Sequence, residues 1–195
     1  MKGDEVSDHE LMHRFSEGEE APFAELVRRY QRSVVSYLAR MLGNPSRAEE
    51  LGQEVFLRIF RHRTSYTREA EFSTWCFTIA INLGRDEIRS RRRRGSHAGS
   101  DALEGLEDDA PSPPDAGLER DEVRGQVHRA LARLPEPFRE VLTLRDLEGR
   151  SYEEIAAALG AELGTVKSRI NRARLAFRDA YMALAGGAGE KEETG

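Results

Sequence analysis

Between Asp101 and Glu122 the chain reads DALEGLEDDAPSPPDAGLERDE, a stretch so acidic and so rich in proline and glycine that it cannot bury enough apolar surface to order itself. No other feature constrains the fold as much, because whatever folds must fold separately on either side of it. Outside it, nearly every apolar residue recurs at helical spacing, and no alternating run is long enough for a strand. The expected class is therefore all-α, with two small helical domains joined by a flexible acidic linker. The boundaries fall at 1–94 for the first domain, 95–116 for the linker, 117–185 for the second domain and 186–195 for a frayed, disordered tail.

Within the first domain, Phe23, Leu26, Val27, Tyr30, Val34, Leu38 and Met41 line one face of a long helix that opens at Pro22 and closes at Gly43. A further helix follows at once. Ser46 and Glu49 have the spacing of a capping box, and Leu51, Val55, Phe56, Ile59 and Phe60 supply its buried face. Gly52 costs this helix up to about 1 kcal/mol of propensity, so a close neighbour or the surrounding packing must require it. The polar run HRTSYTREAE, His62 to Glu71, reads as a loop, after which Ser73 caps a helix carrying Trp75, Ile79, Leu83 and Ile88 into an arginine run. Four helices are expected beyond the linker, over 118–133, 135–148, 151–159 and 164 to about 184.

Charge distribution says more than the net charge of −5, which by itself would argue against a partner rich in phosphates. RSRRRR, Arg89 to Arg94, and VKSRINRAR, Val166 to Arg174, are two basic clusters on opposite sides of the acidic tether. Apolar runs are far shorter than a membrane span needs and the first thirty residues are charged, so neither membrane insertion nor a secretory signal is expected and the chain is placed in the cytoplasm. Cys76 is the single cysteine, which excludes an internal disulfide and a cysteine-based metal site. HELMH, His9 to His13, spells the zinc-protease pattern HExxH, but Ser16 and Glu19 stand where a metzincin continues with Gly and His. Ser7 and Glu10 also have capping-box spacing, with Val6 and Leu11 placed as a hydrophobic staple, so the motif has a structural explanation that needs no zinc. No metal, no cofactor and no enzymatic chemistry are expected.

The segment SYEEIAAALGAELGTVKSRINRARLAF carries helix-turn-helix spacing: a short helix capped by Ser151 and Glu154, a stop at Gly160, a four-residue turn and a second helix from near Thr165. Ile155, Ala156, Leu159, Val166, Ile170 and Leu175 should hold the pair together. Lys167, Ser168, Asn171, Arg172 and Arg174 should then project outward, where Arg suits guanine and Asn suits adenine. An exposed basic helix on an ordinary bundle is the competing reading.

Two stretches together narrow the choice. AEELGQEVFLRIFRH, followed by FSTWCFTIAINLGRDEIRSRRRR, resembles the polymerase-binding and promoter-melting region of the extracytoplasmic-function sigma factors, a bacterial branch of the sigma-70 family. LPEPFREVLTLRDLEGRSYEEIAAALGAELGTVKSRINRAR resembles their DNA-binding region, in the family's order and with a tether of family-like length between.

The resemblance implies an alternative sigma factor that binds core RNA polymerase and directs initiation at promoter DNA. It implies that Glu50, Gln53 and Glu54 contact polymerase, although Glu50 and Gly52 depart from the family's usual Asp and aliphatic residue. Asn82, Asp86, Arg89, Arg91 and Arg92 are implied at the minus-ten element, with Arg93 and Arg94 also suited to phosphates and with Tyr66, Phe72 and Trp75 as possible base-stacking rings. Lys167, Ser168, Arg169, Asn171, Arg172 and Arg174 are implied at the minus-thirty-five element. An anti-sigma factor is the expected inhibitor, and the acidic linker, with Glu107, Asp108 and Asp109, is implied to run through polymerase channels built for a polyanion. Two rivals are a two-domain regulator whose first domain senses a ligand and a zinc hydrolase built on His9, Glu10 and His13.

Overall fold

A computed structural model describes residues 6–67, 69, 71–95 and 117–189. The expected linker, including Glu107, Asp108 and Asp109, lies outside the described residues apart from Gly95. Among the described residues the regular structure is helical throughout.

The first domain contains α1 (Asp8–Ser16), α2 (Ala21–Leu42), α3 (Pro45–Arg61), a single 3-10 turn (Arg63–Ser65) and α4 (Phe72–Arg93). Ser7 caps α1 by accepting from the Glu10 N–H at 3.2 Å, the serine arm of the anticipated box. Leu11, Met12 and Phe15 then point into the core, whereas Val6 stays exposed. Asp8 fastens α1 to α2, taking a hydrogen bond from Arg29 at 2.7 Å and another from the Tyr30 hydroxyl. Leu26, Val34, Tyr37, Leu38 and Met41 of α2 meet Leu51, Val55 and Ile59 of α3 and Phe77 and Ile81 of α4 in one dry core. Cys76 sits inside it, and burial pushes its thiol up to about 12.

Two helix starts differ from expectation. Asn44, not Ser46, caps α3: its side chain accepts from the Arg47 N–H at 2.9 Å, and Pro45 takes the first helical position. Asn44 two residues earlier satisfies the helix-start donor, so Ser46 has no capping task. The fourth helix begins at Phe72 with Glu71 at its cap position, and Ser73 instead sends its hydroxyl to Glu154 of the second domain at 2.8 Å. Gly52 is explained by proximity, since a Cβ built on it would lie 2.7 Å from a Val35 methyl on α2. The two helices touch through this gap in α3.

The second domain contains α5 (Gly117–Arg133), α6 (Glu136–Leu142), a π turn (Thr143–Leu147), α7 (Tyr152–Leu159) and α8 (Leu163–Gly189). The helix anticipated over 135–148 is thus divided, its second half loosened to i→i+5 bonding before Gly149 turns the chain at φ 68°. Helix α8 runs past the expected end into the segment assigned to the tail. Leu175 does not hold the helix pair together. It is 54% exposed, and Ala173 fills the buried position beside Val166 and Ile170. The 3.6-residue period that carries Val166 and Ile170 inward reaches position 173, leaving 175 on the outer side.

Candidate nucleic-acid and partner interfaces

The helix-turn-helix is built as its spacing predicts. Ser151 and Glu154 form a complete capping box, with bonds of 3.0 and 2.8 Å, and Gly160 ends α7 in the left-handed conformation at φ 61°. Burial of Ile155 against Val166, Ile170 and Ala173 fixes the rotation of α8. Lys167, Ser168, Asn171 and Arg172 consequently occupy one exposed face near its N-terminal end. Arg172 leans back on Ser168 at 3.3 Å, which leaves its guanidinium at the surface. The other two candidates stand differently. Arg169 is half-buried, and Arg174 is held by both oxygens of Asp146 on the π turn at 3.1 and 2.5 Å, which raises its pKa.

On α4, Asn82, Asp86, Arg89 and Arg93 recur every three or four residues as an exposed stripe. Asp86 and Arg89 sit within 3.4 Å of each other beside a cleft that Arg47, Leu51 and Glu87 also line. Two arginines named with them have other partners. Arg91 donates to Glu87 at 2.9 Å and to the Leu42 carbonyl at 3.1 Å, tying α4 to the end of α2. Arg92 donates to Glu136 of the second domain at 2.9 Å. Glu87 is pushed up by burial, but hydrogen bonds from Arg47 and Arg91 outweigh this and hold it below the usual carboxylate range.

Phe72 is fully buried and packs its edge on Tyr30, with centroids 5.0 Å apart, so it belongs to the core. Tyr66 and Trp75 lie above it, half-exposed and 5.4 Å apart, as the aromatic surface next to the stripe. The HELMH pattern is absorbed into the same corner. His9 contacts the Tyr66 hydroxyl through Nδ1 at 2.8 Å and Glu71 through Nε2 at 3.5 Å, while His13 pairs with Glu17 at 3.7 Å. Among the described residues no group of His, Cys, Asp and Glu could hold a metal ion.

A third surface runs between α2 and α3. Phe23, Val27, Val35, Phe56, Leu57 and Phe60 line an apolar groove of about 480 Å³, with Gln31, Glu49 and Gln53 among its lining residues. Gln53 therefore sits at the groove, while Glu50 and Glu54 flank it, paired to Arg47 and to Arg58 at 2.8 Å. The hydrogen bond from Arg58 lowers the Glu54 pKa. Phe60, expected on the buried face of α3, is 36% exposed, and Leu57 is 49% exposed. Leu57, Phe60 and Glu49 were not singled out for this surface, although the excess of apolar positions over one buried stripe is the signal that marks them.

Among the described residues no helix is long and apolar enough to cross a membrane. Comparison with known proteins agrees with both halves of the chain. The family model described as Sigma-70 region 2 matches residues 26–94, and that described as Sigma-70, region 4 matches 124–177. The RNA polymerase sigma-H factor of Pseudomonas aeruginosa is 34% identical over 188 residues, spanning 91% of this chain and 95% of its own. The ECF RNA polymerase sigma-E factor of Escherichia coli is 34% identical over 187 residues, spanning 93% and 97%. Among solved structures, CnrH in complex with the cytosolic domain of CnrY matches with a TM-score of 0.68 and 26% identity, over 91% of this chain and 99% of that one. The sigma factor RpoE in complex with the anti-sigma factor NepR from Bartonella quintana matches with a TM-score of 0.63 and 25% identity, over 81% and 95%.

Proposed function

The chain belongs to the extracytoplasmic-function sigma factors of the sigma-70 family, and from that premise we propose how its three surfaces divide the work of transcription initiation. Members of this family direct transcription as DNA-binding initiation factors rather than as enzymes. The α2–α3 groove, with Gln53, Glu50 and Glu54 around it, docks on core RNA polymerase. The α8 face of Lys167, Ser168, Asn171 and Arg172 enters the major groove at the minus-thirty-five element. The α4 stripe of Asn82, Asp86 and Arg89 meets the minus-ten element, its amide and guanidinium suited to a base edge and a phosphate once the strands part. Arg93 and Arg94 add phosphate contacts, whereas Arg91 and Arg174 hold the fold in the conformation described above. An anti-sigma factor, the kind of partner named for the RpoE relative, is the inhibitor this reading assigns.

One observation carries the proposal: two exposed polar faces, on α4 and on α8, are displayed by the two separately matched halves of one chain. A ligand-sensing regulator needs only the second. The test is in vitro transcription from a candidate promoter with core polymerase, with and without the chain. Promoter-specific initiation that depends on the chain is expected. Operator binding that is tight and specific without polymerase, with no effect on initiation, would return the ligand-sensing reading.

A further inference from the structure

The HELMH stretch is a motif that the three surfaces leave without a task, and its side chains reach the loop between the 3-10 turn and α4. Asp8 and His9, adjacent in sequence, face different elements. Asp8 holds α1 to α2 through Arg29 at 2.7 Å and through the Tyr30 hydroxyl, and burial of Leu11, Met12 and Phe15 completes the docking of this helix. His9 is not needed for it. Its ring reaches the loop instead, with Nδ1 2.8 Å from the Tyr66 hydroxyl and Nε2 3.5 Å from a carboxylate oxygen of Glu71, just before α4. An ionised Glu71 only accepts, so in the neutral ring Nε2 carries the proton and Nδ1 accepts from the Tyr66 hydroxyl.

Tyr66 stands where such a tie decides how its ring is held. The turn before it is closed on itself, Ser65 donating to the His62 carbonyl through its N–H at 2.9 Å and through its hydroxyl at 2.7 Å. Arg63 anchors that turn by lying over the Phe15 and Phe60 rings at 5.6 and 5.2 Å. Beyond Tyr66, Thr67, Glu69 and Glu71 are exposed. The Tyr66 ring meets Trp75 at 5.4 Å and Phe72 at 6.4 Å, and a cleft of about 330 Å³ lined by His9, Met12, His13, Ser16 and Tyr66 itself gives it room to turn. The outer torsion of a tyrosine is broad, so a hydrogen bond at the ring's tip fixes what packing on one side leaves loose.

What the ring is held for follows from its neighbours. Tyr66 and Trp75 are half-exposed above the fully buried Phe72, so the pair has a rigid floor and an open upper side. The polar stripe of Asn82, Asp86 and Arg89 runs along the same helix as Trp75. A surface of this kind suits an unstacked base, because every base presents a flat π face to an aromatic ring.

We propose that His9 is a positioning residue for strand capture: it holds Tyr66 beside Trp75 so that the two rings present one stacking surface to a base of the opened minus-ten strand. This deepens the reading of α4 given above and rests on it. Stacking of a base on an aromatic side chain is worth roughly five- to 150-fold in affinity, and a single hydrogen bond that orients one ring is worth roughly two- to tenfold. His9 therefore acts on strand capture through Tyr66, without itself touching DNA.

Trp75 is the single tryptophan of the chain, which makes the stacking surface directly visible. A base stacked on it quenches its fluorescence, so the full chain is titrated with an adenine- and thymine-rich oligonucleotide, either single-stranded or annealed to its complement. The holoenzyme is then assayed on a candidate promoter for binding and, through permanganate reactivity of unpaired thymines, for strand opening. His9→Phe keeps a flat ring and removes both nitrogens; it should weaken the single-strand titration about fivefold and slow opening by a similar factor, with duplex binding and core-polymerase affinity unmoved. Tyr66→Phe, which removes only the hydroxyl, should do the same, and the double substitution should be no worse than either alone. His9→Asn, whose amide oxygen can stand where Nδ1 stands, should recover most of the loss. No quenching of wild type by the single strand, a His9→Phe titration equal to wild type, an equal loss on single strand and duplex, or additive losses in the double substitution would each overturn the proposal. If wild type does not support initiation, the functional reading fails separately, and the oligonucleotide titration still decides whether His9 sets the ring pair.

Discussion

Gly52→Ala puts the packing of α3 against α2 to a quantitative test. The added Cβ would lie 2.7 Å from a Val35 methyl, against an ordinary carbon–carbon separation of about 3.5–4.0 Å, so about 1 Å must be found. A flexible side chain could swing away. Valine on a helix has essentially one χ1 rotamer, so α2 and α3 must instead move apart. Overpacking of this kind costs about 1–3 kcal/mol, while replacing glycine by alanine inside a helix returns about 1 kcal/mol. The net expectation is a loss of about 1 kcal/mol, equivalent to a melting temperature about 2–4 °C lower for a chain of this size. Val35→Ala removes the obstructing methyl, and in that background Gly52→Ala should turn stabilising. Urea unfolding of the four proteins in the double-mutant cycle measures the coupling, expected at about 1–3 kcal/mol. If Gly52→Ala stabilises wild type and the Val35→Ala background equally, the close approach does not constrain α3 and the account of this glycine is wrong.

Further outcomes follow from the α8 face and from the buried carboxylates. Arg172→Ala should cost about 1–3 kcal/mol of holoenzyme binding, concentrated at one base position of the minus-thirty-five element; an equal loss across all promoter sequences would mean that Arg172 touches only phosphate. Burial raises the Glu148 carboxyl above its ordinary value, against Arg40, Ser36, Ser33 and Arg150, so the folded chain binds this proton more tightly than the unfolded one. This group therefore contributes stability that is present below the ordinary carboxylate value and lost as pH rises through the raised value, read as a fall in the urea midpoint on the high-pH side. Glu148→Gln should remove that dependence. Glu87 and Glu154, held low, favour the fold above the ordinary carboxylate value and release it only at lower pH.

Much of the fold was legible because helical period and punctuation agree locally. The capping box at Ser151 and Glu154, the stop at Gly160 and the apolar positions Ile155, Val166 and Ile170 all report on neighbours within a few residues, and all three hold. Sequence and fold part where two local signals compete or a distant partner decides. Asn44 outcompeted Ser46 because Pro45 fixes the first helical position. Ser73 looks like a cap in sequence, and only the fold reveals that Glu154, far along the chain, claims its hydroxyl. Arg91 and Arg174 are alike in sequence to their neighbours and differ in having Glu87 and Asp146 within reach. Periodicity identifies which residues are outward, but not which outward cation already has a carboxylate.

That distinction bears on the charge of the whole chain. A net charge of −5 is unhelpful to a protein meant to approach DNA, yet the carboxylates of the second domain are not spread at random over its surface. Glu136, Glu140 and Glu148 face the first domain, where they pair with Arg92, Arg85 and Arg40, while Lys167 and Arg172 on α8 and Arg89 and Arg93 on α4 stay at the surface. Two modest faces of the kind proposed on α4 and α8 would gain strength chiefly by being linked, and a linkage that cannot span both sites contributes no effective concentration at all. Specific initiation would then depend on holoenzyme assembly, which engages both faces at once, while the residues on each face set the sequence that is read.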